Sequence, residues 1–186
     1  MYKLFVPLTL IFCLAAGATG AAGAAELKVG MFSLNAVATA CDAYKAKQAD
    51  MKKNFEAEGK AVEKQGLDLQ KLVNEFQIQQ QALSPEARED RQEALRRQSR
   101  EFEDKRNDFL RRYNNAEKRA QEEIISIVLY SAAEYGKREK FSFVLEMDRA
   151  GVLWVDQPLD ITKAVLEESN KTWKNKPKEL FDQLGK

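Results

Sequence analysis

The chain has 186 residues, with 30 lysines and arginines, 29 aspartates and glutamates, no histidine and a formal net charge of +1. This balance argues against a nucleic-acid-binding protein, which would present a strongly basic face. The lack of histidine removes the usual general base and the commonest metal ligand, and the sequence holds no glycine-rich phosphate loop or calcium-loop spacing. We therefore expect no enzymatic activity, no cofactor and no metal site.

Residues 1–25 have the features of a secretory signal peptide. Lys3 supplies a positive start, residues 4–16 form an apolar run, and an A-x-A cleavage site ends at Ala24. The apolar run is too short to span a bilayer. We expect export and cleavage after Ala24 or Ala25, which leaves 29 basic and 29 acidic residues in the mature chain because only Lys3 is lost.

The mature chain begins with a predicted strand. Residues 26–33 alternate in polarity, with Leu27, Val29 and Met31 on one side, which is the pattern of a short strand. Residues 34–40 then lead through small side chains into a helix.

Residues 42–140 predict two long helices that fold back on each other as an antiparallel coiled-coil hairpin. Apolar residues recur every seven positions on both sides of a turn at residues 83–87. In that turn, Ser84 is a helix N-cap and Pro85 stands at the first helical position, so a second helix begins there. The repeat positions are Phe55, Val62, Leu69, Phe76 and Leu83 in the first helix and Leu95, Phe102, Phe109 and Ala116 in the second.

The two repeats also predict the register and stiffness of the hairpin. In an antiparallel hairpin the residue number rises along one helix as it falls along the other, so every facing pair has the same sum of residue numbers. The two repeats obey this rule, which places Leu69 opposite Phe102. A second set of facing positions lies three or four residues away from the apolar repeat, and from Glu58 outward it is mostly polar. In addition, Gly59 and Gly66 each destabilise the first helix by about 1 kcal/mol relative to alanine. We predict a hairpin that is stiff at its base and pliable further out.

One cysteine, Cys41, remains after cleavage, so an internal disulfide framework is excluded. Its position on the seven-residue repeat, facing Tyr130, predicts a small buried thiol at the base of the hairpin. The alternative is an intermolecular disulfide or a reactive thiol.

Residues 141–172 predict the second part of a small β-rich body. Residues 141–146 and 152–155 are typical of strands, and the turn between them ends at Gly151. A predicted helix capped by Asp160 or Thr162 follows. We expect residues 173–186 to be a tail, in which Pro177 to Leu184 have the pattern of a short helix.

The predicted fold class is therefore α+β. The body consists of residues 26–41 and 141–172, and the hairpin is inserted after the first strand. Three short strands and one helix form a poor core, and open strand edges favour pairing between chains. We expect oligomerisation through the body, with the interface residues Val29, Phe143, Leu145 and Trp154.

The order of these elements resembles the Skp (OmpH-like) family of periplasmic outer-membrane-protein chaperones. The resemblance is carried by a hairpin tip that reads Leu83-Ser-Pro-Glu-Ala-Arg88 and by three C-terminal runs: Phe141-Ser-Phe-Val-Leu-Glu146, Val152-Leu-Trp-Val-Asp156 and Leu159-Asp-Ile-Thr162. It implies a periplasmic homotrimer with a β-barrel body and three helical arms around a cavity. It further implies ATP-independent binding of unfolded outer-membrane proteins. Better-known members are strongly basic whereas this mature chain is neutral, so we expect at most weak contact with membrane or lipopolysaccharide.

Two functions fit this reading, a holdase chaperone and a structural coiled-coil adaptor or spacer of the cell envelope. A spacer needs a continuous apolar seam and a polar exterior, whereas this seam is half polar and Leu67, Ile78 and Leu110 lie off it. Leu67 and Ile78 are three helical turns apart and share the face opposite the seam. The holdase hypothesis assigns these three residues as client contacts, although exposed apolar residues are also common on inert surfaces.

Overall fold

The computed structural model describes residues 27–175 and Leu180. The predicted signal peptide and the predicted tail helix, Leu180 apart, lie outside the described residues. The elements are β1 (Val29–Phe32), α1 (Leu34–Ala40), α2 (Asp42–Gln79), α3 (Pro85–Arg138), β2 (Phe143–Glu146), a 3-10 turn (Gln157–Leu159) and α4 (Thr162–Asn175).

Helices α2 and α3 form the long element of the molecule, which we call the arm. At 38 residues, α2 extends about 57 Å. The chain turns at Ser84, whose Oγ accepts a hydrogen bond from the backbone N–H of Ala87 at 3.2 Å, and Pro85 begins α3. Ion pairs join the two helices, with Lys47 Nζ 2.6 Å from a carboxylate oxygen of Glu123. This pair lies one position from the sequence-predicted register.

The core lies where the arm meets the rest of the chain, and it is built from helices. The sequence predicts three short strands and one helix for the body, whereas in the described residues of the single chain the body has two strands and two helices. Among the described residues the sheet has two strands. Such a small sheet cannot enclose a core by itself, so α1, α4 and the adjoining ends of α2 and α3 supply the apolar surface. The buried residues of this cluster are Phe32, Leu34, Val37, Cys41, Ala43, Ile124, Ile127, Val128, Ala132, Ile161, Val165 and Leu180. Cys41 is completely buried, with a free thiol.

Strands β1 and β2 are parallel, with Val29 opposite Phe143 and Met31 opposite Leu145. The whole arm is thus the crossover between two adjacent parallel strands. Gly30 packs tightly on the buried face of β1, where an added Cβ would lie 2.7 Å from Cδ1 of Ile161. This close approach explains why the position lacks a side chain.

The predicted strand at residues 152–155 does not form. Residues 160 and 161 occupy the free edge of β1, where the Ile161 N–H donates to the carbonyl of Met31 at 2.8 Å. Segments of this composition need one packed face to be stable as strands. Within one chain Leu153 is 100% exposed and Trp154 is 78% exposed, so this segment has no such face.

Two glycines of α2 have a packing role that sequence reasoning missed. The sequence predicts that they loosen the helix, but in the structure each lies against a phenylalanine ring of α3. A Cβ at Gly66 would approach Cζ of Phe102 to 2.9 Å, and a Cβ at Gly59 would approach Cζ of Phe109 to 3.3 Å. The glycines therefore let the rings sit between the two helices.

This difference in spacing predicts opposite effects of the same substitution. Gly59→Ala should stabilise the arm by up to about 1 kcal/mol, because alanine is the better helix former and the contact needs only a small adjustment. Gly66→Ala should instead destabilise the arm by about 1 kcal/mol in total, since the Phe102 ring must move from a packed position. Urea unfolding followed by circular dichroism measures both variants. Equal stabilisation by both would show that the Phe102 ring is not tightly held.

Candidate functional site

The predicted client contacts are exposed along the arm. Leu67 is 53% exposed and Ile78 is 81% exposed on α2, and Leu110 is 38% exposed on α3. Leu67 and Ile78 are about 16 Å apart along the helix, so these side chains are dispersed. This arrangement provides several separate apolar contacts on a long surface.

The seam of the arm is well packed only in part. Near the base, Phe55 makes edge contacts with Phe109 and Tyr113, at ring-centroid distances of 6.2 and 5.5 Å. Further out, Leu95 is buried, but a groove of about 260 Å³ opens between the helices beside Leu69 and Phe102. The outer arm therefore exposes partly apolar surface within its seam.

A cluster of charged side chains bridges α2 and α3 at the point where the seam becomes polar. The Arg112 guanidinium hydrogen-bonds both oxygens of Glu58 across the helices and also binds Asp108 on its own helix at 2.8 Å. These hydrogen bonds lower the pKa of the Glu58 and Asp108 carboxyls and raise that of Arg112. Both carboxylates are therefore held in their charged form.

The predicted interface residues lie at an exposed apolar face of the sheet, which we call the sheet face. Gly30 and Phe32 are the buried positions of β1, and successive side chains of a strand alternate between faces. Val29 and its partner Phe143 therefore lie on the outer face. This face also holds Met31 and Leu145, and Phe143 and Leu145 are both exposed.

Trp154 is exposed in the segment that follows β2. Sequence reasoning missed two further exposed apolar residues here, Leu27 and Leu153. Leu27 could have been predicted, because it alternates with Val29 and Met31 and so belongs on the same face. Leu153 could not, because the sequence predicts a strand at residues 152–155, and alternation along that strand would place Leu153 on the face opposite to Trp154.

Helix α4 fastens the base of the arm, which the sequence did not reveal. Cys41 precedes α2 without a side-chain cap, and Oδ1 of Asn170 accepts from the backbone N–H of Asp42 at 2.8 Å instead. The hydroxyls of Ser131 and Thr172 form a buried hydrogen bond of 2.8 Å between α3 and α4. These contacts set the direction in which the arm leaves the core.

The third contact of α4 is ionic. Both oxygens of Glu168 accept from the Arg138 guanidinium, at 2.6 and 3.0 Å. The Glu168 side chain is only 13% exposed, and the hydrogen bonds from Arg138 lower the pKa of its carboxyl. The pair connects the end of α3 to the middle of α4.

This contact predicts a pH-dependent effect of Arg138→Met. Because the pKa of Glu168 is lower in the folded state, the pair stabilises the fold above the unfolded pKa of about 4.3 and loses this effect as pH falls through the folded pKa. The variant should have a lower Tm than the wild type at pH 7, and the difference should shrink near pH 3. Calorimetry at both pH values measures this.

The double variant Arg138→Met/Glu168→Gln is the matched control for the Glu168 charge, which the first substitution leaves with Lys171 Nζ, 3.6 Å away, as its remaining cationic partner. It should recover part of the Tm lost at pH 7. A pH-independent difference for Arg138→Met would mean that the arginine acts through its aliphatic packing alone.

Among the residues that the structure describes, no helix is both long and apolar enough to cross a bilayer. The same part of the chain holds no group of three or more metal-ligating side chains.

A family profile described as outer membrane protein (OmpH-like) matches residues 28–168 of this chain. A crystal structure of an OmpH-like chain from Caulobacter crescentus CB15, described as a candidate outer membrane chaperone, superposes with a TM-score of 0.64. It is 17% identical, and the match covers 80% of this chain and 87% of that one. At this identity the likeness establishes the fold alone. No curated protein matches the sequence.

Proposed function

Because the chain belongs to the OmpH-like family of outer membrane proteins, we propose that it is an ATP-independent periplasmic holdase chaperone. Its clients are unfolded outer-membrane β-barrel proteins, which it keeps from aggregating before membrane insertion. The description of the Caulobacter crescentus chain as a candidate chaperone and the signal-peptide pattern of residues 1–25 support this proposal.

The observation that carries the proposal is the exposure of large aliphatic side chains along the arm. A holdase must bind many sequences and release them, so its contacts should be weak and numerous. Covering each exposed leucine or isoleucine contributes on the order of 1–2 kcal/mol. Leu67, Ile78 and Leu110 provide contacts of this size at separate points, which suits an extended and irregular client.

We further propose that the working form is a homotrimer assembled through the sheet face. A two-stranded sheet with an exposed apolar face and an unpaired apolar segment at residues 152–155 is unfavourable in a lone chain. Packing the sheet faces of three chains together would cover Val29, Phe143 and Leu145 and would place three arms around a common space. Trp154 would be covered in the same assembly.

The test combines aggregation and stoichiometry. A purified outer-membrane β-barrel protein is diluted from urea with and without the mature chain, and light scattering follows its aggregation. Native mass spectrometry of the same mixtures reports the assembly and the bound client. We expect suppressed scattering and a complex of three chains with one client. An assembled protein that leaves aggregation unchanged would favour the spacer or adaptor alternative.

A further inference from the structure

The charged residues on the back of α2, opposite the seam, are not interspersed. From Lys53 outward, and so excluding Asp42 at the first position of α2, an arc of roughly 60° on this side holds only basic and apolar residues when each residue turns the helix by 100°. We call it the lysine strip, and it consists of Lys53, Lys60, Lys64, Leu67, Lys71 and Ile78, all of them exposed. The acidic residues of the same stretch of α2, such as Glu56 and Glu75, lie outside this arc.

The lysines of the strip are only partly neutralised. Lys60 Nζ lies 2.7 Å from a carboxylate oxygen of Glu56, and Lys71 Nζ lies 3.8 Å from one of Asp68. Lys53 and Lys64 make no ion pair with any described residue. The strip therefore has a local positive charge on a chain whose overall charge is nearly zero.

The corresponding side of α3 differs in composition. Its back carries both signs within the same arc, for example Arg100, Asp104 and Arg111. The segregation of charge is thus a property of one face of the arm, and this is the face that holds two of the three proposed client contacts.

We propose that Lys64 and Lys71 determine client specificity by favouring extended segments in which carboxylates alternate with apolar residues. The inference depends on the proposed holdase function. Lys64 stands one turn before Leu67 and Lys71 one turn after it. An apolar client side chain on Leu67 therefore brings the neighbouring client residues to a lysine on either side. Carboxylates at those positions gain an ion pair, whereas lysines or arginines meet a like charge.

The test uses the full mature chain and two fluorescent synthetic peptides. The peptides share the same alternating apolar residues and carry either glutamate or lysine between them. Fluorescence anisotropy should show tighter binding of the glutamate peptide by about tenfold, since each exposed ion pair adds only a modest energy. Lys64→Glu/Lys71→Glu should remove or reverse this preference.

A matched variant separates position from net charge. Lys105→Glu/Lys118→Glu changes the charge of the arm equally but lies on α3, and it should retain the preference for the glutamate peptide. Circular dichroism must show the same helicity for both variants. The conservative pair Lys64→Gln/Lys71→Gln should give an intermediate preference and covers the case in which glutamate disturbs the helix.

Three outcomes would overturn the inference. The wild type could bind both peptides equally, or the α3 variant could lose the preference as fully as the strip variant. In the third, the strip variant would keep the peptide preference and lose binding to phosphatidylglycerol vesicles, which would make the strip a membrane contact. A wild type that suppresses client aggregation without a charge preference refutes this inference alone. One that neither binds peptide nor suppresses aggregation refutes the holdase function.

Discussion

Trp154→Asp should convert the assembled protein into folded single chains. Within one chain Trp154 is 78% exposed, so the substitution removes little packing from the fold itself. In an assembly that covers this position, the carboxylate would be buried among apolar groups without a partner, at a cost of several kcal/mol. Association should weaken by about a thousandfold or more. Sedimentation velocity over a concentration series measures the change.

The same change of polarity at the far end of the arm is the matched control for this experiment. Ile78→Asp places a carboxylate at a position that is equally exposed in the single chain but distant from the sheet face, and it should leave the assembly intact. Trp154→Phe should also assemble. An unchanged assembly of the Trp154→Asp protein would place the interface elsewhere.

The sequence predicted the features that depend on residues close together in the chain, and it missed those that depend on contacts between distant residues. The helices of the arm depend on a repeat of seven residues and on the Ser84-Pro85 start signal, both of which are local in the sequence. The cap that Asn170 provides for Asp42 joins residues 128 positions apart, and no local pattern indicates it. Strands β1 and β2 are likewise separated in the sequence by the whole arm, so no local pattern indicates that they pair.

The candidate surfaces show the same division. The exposure of Leu67 and Ile78 was predictable, because the period of the helix shows which residues lie on the side opposite the seam. The Gly66–Phe102 contact required the distance between two helices, and a sequence gives only the residue types. The segment at residues 152–155 has the composition of a strand, but in one chain nothing covers Leu153 and Trp154. Composition alone therefore predicted a strand that does not form.

Replacing the exposed aliphatic side chains of the arm should abolish most of the holdase activity. The triple variant Leu67→Ser, Ile78→Ser and Leu110→Ser removes three contacts of on the order of 1–2 kcal/mol each. Client affinity should fall by about a hundredfold or more, and light scattering of a diluted outer-membrane protein should rise towards the level without chaperone. Helicity and assembly should not change, since the three side chains lie outside the core and the sheet face.

The control for this experiment is a triple variant that shortens exposed polar side chains on the same helices: Gln70→Ser, Gln77→Ser and Asn107→Ser. It should protect clients as well as the wild type. Salt distinguishes the contributions further, because it screens exposed charges beyond about 10 Å and leaves apolar contacts in place. Moderate salt should therefore weaken client binding only slightly while it reduces the preference for acidic segments. If the leucine and isoleucine variant protects fully and salt removes protection, the arm holds its clients by charge, and the lysine strip is then the main binding surface.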